Sequence, residues 1–344
     1  MRSILVLVFL ILLIIPVFSA EEVTLTEIFN PSSIKVDDQK IYIAQDVNIF
    51  IYSFKDFKLI KKFGKAGEGP REFIKSPAPW IPSITLYLNA DKILINSIGK
   101  VSFYSKDGNF IKEQRTPGVG FFGRYIPCGK NYILMGFQQE DKNQLVVSKL
   151  VDSNLKTIKE ICRVKFPRQT GKKRNPILMA KMATYFDRYS YKDKFVIPIE
   201  NGTIKIFDQT GKELESFTPE YTKVKMTSQL EKRLDDFFTN HTFYKEPYLA
   251  DKSRNLITFG EHLPIFNYYR LADDKIYIFS NFKKDEKYET FIYSFDGTLI
   301  KKTFLPLENL DIFNIYPFDI KNSKLYQLVY DEDEEEMKLI ITKI

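Results

Sequence analysis

Hydrophobic and polar positions along this chain follow a unit that returns six times. Each copy is a short polar turn ending in Lys or Asn, followed by a strand-length run of β-branched and aromatic residues. The clearest copies are Asp37-Asp38-Gln39-Lys40-Ile41-Tyr42-Ile43, Asn89-Ala90-Asp91-Lys92-Ile93-Leu94-Ile95 and Ala272-Asp273-Asp274-Lys275-Ile276-Tyr277-Ile278. Fainter ones begin at Cys128, Tyr191 and Lys321. Runs of this length and composition fit buried strands rather than helices. Most copies continue into a second hairpin, marked by Lys106-Asp107-Gly108-Asn109, Gln209-Thr210-Gly211-Lys212 and Phe295-Asp296-Gly297-Thr298. Gly accepts the positive φ that such turns need.

Each unit therefore reads as four antiparallel strands, a to d. In the fifth they fall near 264–271, 274–281, 288–295 and 298–305. A lone four-stranded sheet exposes both faces, and radial packing of six around an axis buries them. The predicted fold is all-β: a six-bladed β-propeller of four-stranded antiparallel blades, with one short helical insertion. The sixth unit supplies strands near 310–320, 323–330 and 337–343 but no strand d. A spare strand at Val23–Phe29 stands before the first full unit, so the N-terminal strand should complete the last blade and close the ring. The helical stretch is 225–240, where Met226, Leu230, Leu234, Phe237 and Phe238 share one face, within an insertion of about 223–247. It reads as a cap on the propeller.

The first twenty residues have the order of a secretory leader: Arg2, an apolar run from Ile4 to Ile15, Pro16, then small residues before Glu21-Glu22. Residues 1–20 are thus expected to be removed, after Ser19 or Ala20, leaving a propeller domain at 21–344. The expected protein is exported (periplasmic or extracellular) and monomeric, with no stable membrane span after cleavage, because no second long apolar run follows. Composition agrees: 44% hydrophobic and 28% charged residues suit a globular core, and 15% aromatics suit pleated sheets. The formal charge of +7 is modest for 344 residues and reads as a solubility feature, with no nucleic-acid partner expected outside the cell. Export permits disulfides, but Cys128 and Cys162 fall on strands a and d of one blade. Three strand spacings separate these by about 14 Å, so two thiols are expected.

The segment Phe63-Gly64-Lys65-Ala66-Gly67-Glu68-Gly69-Pro70-Arg71-Glu72-Phe73 resembles the Phe-Gly-x-x-Gly-x-Gly-Pro-Gly-Glu-Phe signature of bacterial six-bladed β-propellers related to NHL-repeat and TolB-like proteins. Arg71 stands where that family has Gly. The resemblance implies an exported propeller, and the family includes lactonases and amidating lyases that carry metal-binding sets not found here. The same Gly-rich stretch is not a phosphate loop, since Gly-Pro-Arg-Glu leads to Pro77-Ala78-Pro79 and no helix can start there.

Catalytic patterns are sparse. His241 and His262 lie outside any zinc spacing, and no Gly-x-Ser-x-Gly elbow is present. No cofactor is expected, although a calcium ion held by carboxylates at the central channel stays open, and no metal ligand can be named. The leading expectation is a non-enzymatic binding or scaffold module for a protein, peptide or glycan. The alternative is a metal-dependent, lactonase-like hydrolase or lyase with its site at the central channel. Long segments gather on one face: the Gly-rich connection 64–77, a basic connection around 166–183, the insertion 218–263, and b–c loops near 137–143, 282–287 and 331–336. Loops on a rigid scaffold carry recognition. Ligand contacts are therefore expected at Arg71, Trp80, Arg168, Lys172, Lys173 and Arg174, with the acidic run Asp331–Glu336 two blades further round.

Overall fold

The computed structural model describes residues 20–76, 82–116, 123–140, 143–165, 173–180, 189–199 and 202–344. The expected leader, up to Ser19, lies outside the described residues.

Six four-stranded antiparallel sheets form the blades. The first contains Ser33–Val36 (β2), Lys40–Gln45 (β3), Asn48–Ser53 (β4) and Leu59–Phe63 (β5). The second contains Ile84–Leu88 (β6), Lys92–Ser97 (β7), Lys100–Ser105 (β8) and Phe110–Arg115 (β9). Arg124–Cys128 (β10), Asn131–Glu140 (β11), Asn143–Val151 (β12) and Thr157–Lys165 (β13) make the third. The fourth is Tyr189–Tyr191 (β14), Lys194–Pro198 (β15), Ile204–Asp208 (β16) and Glu213–Phe217 (β17). The fifth is Phe266–Ala272 (β18), Lys275–Lys284 (β19), Lys287–Ser294 (β20) and Leu299–Pro306 (β21). The sixth takes Phe318–Lys321 (β22), Lys324–Asp331 (β23) and Glu336–Lys343 (β24) from the C-terminus, and Ala20–Thr24 (β1) from the N-terminus.

The inner strands contact one another in the order β2, β6, β10, β14, β18, β22 and back to β2, which closes the ring. Side-chain alternation explains why the middle strands are apolar throughout. Ile41 and Ile43 of β3 pack against Tyr326, Leu339 and Ile341 of the sixth blade. Tyr42 and Ala44, between them, pack against Ile84, Ile93 and Ile95 of the second. Both sheet faces are buried, so both sets of alternate positions must be hydrophobic. Each of the other seams has its own core, including Leu94 and Phe103 on Tyr125, and Ile133 on Phe195 and Phe207. The outer strands face solvent and turn polar, as Glu213–Phe217 does at almost every position.

Closure occurs as expected, but three residues earlier than the sequence suggested. Ala20 to Thr24 pair with Thr342 to Lys338, and Leu25 N donates to Met337 O at 2.8 Å. Beyond Thr24 the chain turns inward, because Leu25 and Ile28 are wanted in the core between the sixth and first blades. Two other boundaries also differ. The b–c segments near 137–143 and 282–287 are not long loops, since β11 runs to Glu140 and β19 to Lys284. Asp285 and Glu286 make that second turn with φ of 50° and 57°, a tight hairpin without glycine. The insertion carries two helices, Ser228–Asn240 and Lys245–Ser253, and so runs past the expected 247.

Cys128 is buried in the core between the third and fourth blades, and half-buried Cys162 packs at the edge of that core. They lie on strands a and d of one sheet as expected, and no disulfide joins them.

The c–d turn glycines are required twice over. Gly108, Gly211 and Gly297 have φ of 71°, 73° and 80°. Each also packs on the preceding blade, where a Cβ at Gly108 would sit 2.9 Å from Phe63 of the outer strand and 3.0 Å from Ile51 of the strand beside it. Gly99 has a similar φ of 74°, but open space around it. Gly108→Ala should therefore lose about 2 kcal/mol, against about 1 kcal/mol for Gly99→Ala. Denaturant midpoints would measure the difference, and equal losses would mean that the seam contact does not constrain the turn.

Candidate binding face

A four-stranded meander sends its a–b and c–d turns to one end of the propeller. The b–c turns and the links between blades go to the other. The two ends differ in what they leave available.

The tight-turn end is bonded across each of its seams. Lys106 reaches Asp37 at 3.2 Å between blades two and one, and Lys321 reaches Asp38 at 3.0 Å between six and one. Asp273 accepts from the amides of Asn322 and Ser323 at 3.0 and 2.7 Å. Lys192 meets Asp274 at 2.8 Å, Asn131 donates to Gln209 O at 3.1 Å, and Gln114 donates to Asn154 O at 2.6 Å. Such exposed pairs add little stability individually. Their effect here is to occupy the polar groups of that end with neighbouring blades.

At the opposite end the helical insertion forms a cap. Thr227 accepts from Leu230 N at 3.2 Å and starts the first helix as a side-chain N-cap. Leu234 and Phe238 then enter a core with Tyr248, Phe259, Ile177 and Phe313. Met226, Leu230 and Phe237 pack at its edge, which is the helix face read from the sequence. The cap thus joins the connection before the fourth blade to the one before the sixth. Glu289 anchors its entry: the carboxylate, 1% exposed, accepts from Thr222 N at 3.1 Å and from Ser280 Oγ at 2.7 Å, and pairs with Lys302 at 2.8 Å.

The Gly-rich connection is a structural loop, braced from within and by the second blade, where Lys100 donates to Gly69 O at 2.9 Å. Glu72 folds back to accept from Gly69 N at 3.0 Å and pairs with Lys65 at 2.8 Å. Phe73 behind it is fully buried, with its amide on Lys65 O at 2.7 Å. Gly67 has φ of 150°, which side-chain-bearing residues rarely adopt, and a Cβ there would also push the Glu72 carboxylate out of this place. That carboxylate takes the place a bound anion would need, consistent with a blade connection rather than a phosphate cradle. Arg71 has φ of 62°, so it keeps the left-handed conformation that favours glycine. Its amide donates to Glu113 at 3.0 Å, and its guanidinium lies 4.6 Å from the Phe110 ring centroid. These contacts offset a strain of about 1 kcal/mol.

Of the six residues expected as ligand contacts, Trp80, Arg168 and Lys172 lie outside the described residues. The other three make contacts within the chain, Arg71 on the second blade and Lys173 with Arg174 at the cap. Arg71 rests on the second blade as above. Lys173 donates to Asn255 O at 2.7 Å, and Arg174 clasps Asp251 through contacts of 2.7 and 2.6 Å. Lys173 and Arg174 thus tie the connection before the fourth blade to the end of the cap.

The axis holds residues that the sequence did not single out. Lys35, from blade one, sits 3.5 Å from Asp319 of blade six and 5.3 Å from the ring centroid of Tyr189 of blade four. Blades one and four are opposite, so this contact crosses the channel. Arg270, from blade five, covers the same ring at 4.6 Å and Phe318 at 4.0 Å. A cation at this level would meet two positive side chains and one carboxylate already paired with Lys35. Among the described residues, no group of three His, Cys, Asp or Glu comes together as a metal site, and no helix is long and apolar enough to cross a membrane.

One open pocket of 220 Å³ lies on the loop face beside the ring closure, lined by Phe29, Pro31, Leu310, Tyr316, Tyr330 and Met337 among others. Phe29 is 67% exposed and Leu310 55%, while Met337 forms a buried floor. Hydrogen bonds hold its walls in place. Gln45 Oε1 accepts from Phe29 N and Asn30 N at 2.6 and 2.9 Å. Buried Gln327 binds Glu308 N at 2.9 Å and the carbonyls of Glu308 and Tyr316 at 3.0 and 3.3 Å. Sequence pattern could not reveal this pocket, because its walls come from both ends of the chain.

No protein-family model matches the chain, and no curated protein matches it. Solved propellers do. BamB from Moraxella catarrhalis aligns over 90% of this chain and 71% of its own, at 11% identity and a TM-score of 0.32. U3-55K aligns over 94% and 98%, at 8% identity and a TM-score of 0.46. The Pan2 WD40 domain of Neurospora crassa aligns over 92% and 89%, at 9% identity and a TM-score of 0.44. Likenesses this distant say nothing of ligands, and the count of six blades rests on the strand pairing itself.

Proposed function

We propose that this six-bladed propeller is a non-enzymatic, exported binding module that holds a protein, peptide or glycan on its loop face. The observation that carries the reading is the contrast between the two ends. One is bonded to itself at each seam, while the other presents a preformed apolar pocket and a helical cap. Rigid scaffolds place recognition on such loops, and bulky apolar groups left in water on a folded surface favour a partner. The apolar run before Pro16 supports export, and the Gly-rich connection supports kinship with NHL-repeat and TolB-like propellers. The channel, crossed by Lys35 and lined by Arg270, gives little support to a lactonase-like metal site. Metal analysis of purified protein, followed by a panel of lactones and esters, tests this choice of class. The expected outcome is no stoichiometric ion and no turnover. A tightly bound ion together with turnover would overturn it.

A further inference from the structure

We propose that the pocket beside the ring closure receives a bulky apolar side chain from a basic segment of a partner protein. The inference rests on the reading of the loop face as the recognition surface and gives that surface a ligand chemistry. Three observations support it.

The pocket's size is the first. At 220 Å³ it falls below the ~300–1,000 Å³ usual for small-molecule sites and suits one large side chain. Its walls are fixed by hydrogen bonds before any ligand arrives, which lowers the ordering cost of binding.

The second is local charge. The chain carries a net +7, yet this pocket is ringed by acids. Tyr330 and Met337 of its lining bracket the run Asp331-Glu332-Asp333-Glu334-Glu335-Glu336. Asp331 and Glu334 both pair with Lys338, at 2.5 and 3.0 Å. Among the described residues no ion pair reaches Glu332, Asp333, Glu335 or Glu336. Glu308 is exposed beside Leu310, and Glu27 beside Phe29. Burial first, and then the charges of Glu332 and Glu308, push the Tyr316 hydroxyl above its ordinary pKa, which places those carboxylates within electrostatic reach of the pocket wall. An apolar floor with an acidic rim selects Lys or Arg beside the inserted side chain and repels acidic partners.

The third is location. Elsewhere, large exposed apolar residues lie along outer strands, as Ile60, Ile111 and Ile158 do, or on the helical cap, as Phe243 and Leu249 do, and line no pocket with one another among the described residues. Phe29, Leu310 and Tyr330 instead converge on one pocket from three separate segments.

The test uses three fluorescent peptides with the whole protein: Phe flanked by lysines, the same peptide with glutamates for lysines, and the same with Ser for Phe. The Lys-flanked Phe peptide should bind, and either control should bind at least about tenfold more weakly. The same loss is expected for the lysine peptide with a Leu310→Ser, Tyr330→Ser variant, and with a Glu332→Lys, Asp333→Lys, Glu335→Lys variant. All five positions lie at the surface, and circular dichroism would verify folding. No binding, equal binding of the controls, or binding indifferent to both variants would overturn the proposal. So would a wild-type dimer abolished by Leu310→Ser, since the occupant would then be a second copy. A photoreactive version of the peptide separates the two levels of the argument. Cross-links to 25–32, 306–317 or 330–337 support the pocket. Cross-links elsewhere on the loop face reject the pocket and leave the recognition face standing, while cross-links to the tight turns reject both.

Discussion

Deleting Ala20 through Ile28 should give a chain that aggregates, or that melts on the order of 10 °C below its parent. The deletion removes β1, the outer strand of the sixth blade, and leaves β24 as an open edge able to pair with other chains. It also removes Leu25 and Ile28, both almost fully buried between the sixth and first blades. Two such side chains are worth about 1.5–3 kcal/mol each, and the lost ladder adds about 1 kcal/mol per hydrogen bond. Together these approach the roughly 5–15 kcal/mol that stabilises an ordinary domain. Differential scanning calorimetry with light scattering would measure the effect. A soluble deletion with an unchanged transition would mean that the ring is sealed by the inner strands alone.

Replacing Glu289 with Ala should cost about 2–4 kcal/mol, because Thr222 and Ser280 lose their acceptor in a buried site. Lys302 is 44% exposed and can turn to water, which keeps the loss from being larger. Glu289→Gln should cost less, since it preserves shape and one acceptor. The two proteins also separate with pH. Burial pushes the Glu289 carboxyl up, but hydrogen bonds from Lys302, Thr222 and Ser280 outweigh it and hold the pKa below the ordinary glutamate value. A depressed folded pKa contributes stability that is complete above the unfolded value of ~4.3 and is lost as pH falls through the folded one. The advantage of the parent over Glu289→Gln should therefore hold at neutral pH and shrink as the pH falls through and below the unfolded value of ~4.3. Urea midpoints across that range would check it, and a constant gap would show that the carboxylate's charge is not what anchors the cap.

Much of the fold was written in local pattern. Turn chemistry at Asp107-Gly108 and Asp296-Gly297 marked the hairpins, and doubly apolar strands such as Lys40–Gln45 marked burial on both faces. A chain short of one strand at its end, with a spare at its start, revealed the closure. Boundaries failed where local signals mislead. Asp285-Glu286 makes a tight turn without glycine, so a loop was expected where the strands continue. Pro247 sits inside the first turn of Lys245–Ser253, a place where proline is tolerated, and hid the second helix. Arg71, at a position where the resemblance led to glycine, holds a left-handed backbone with Glu113 and Phe110 as neighbours, which its residue type did not announce. The candidate site was least legible. Lys35, Arg270 and Asp319 meet only because the ring brings distant inner strands together, and Phe29 reaches Tyr330 only because the ring closes. The basic cluster was visible as charge, while the partners of its described members, Asn255 and Asp251, are distant in the chain and left no local signal.

The most direct test of the two-ended account is site-specific photo-cross-linking in cells that produce the protein. A photoreactive side chain would replace Phe29 or Leu310 on the loop face, and Asp107 or Asp296 on the tight-turn face, one position at a time. All four are exposed, so each substitution should leave the fold intact. The account predicts a discrete cross-linked species from Phe29 and Leu310, and none from Asp107 or Asp296. A species formed only from the tight-turn positions would contradict it.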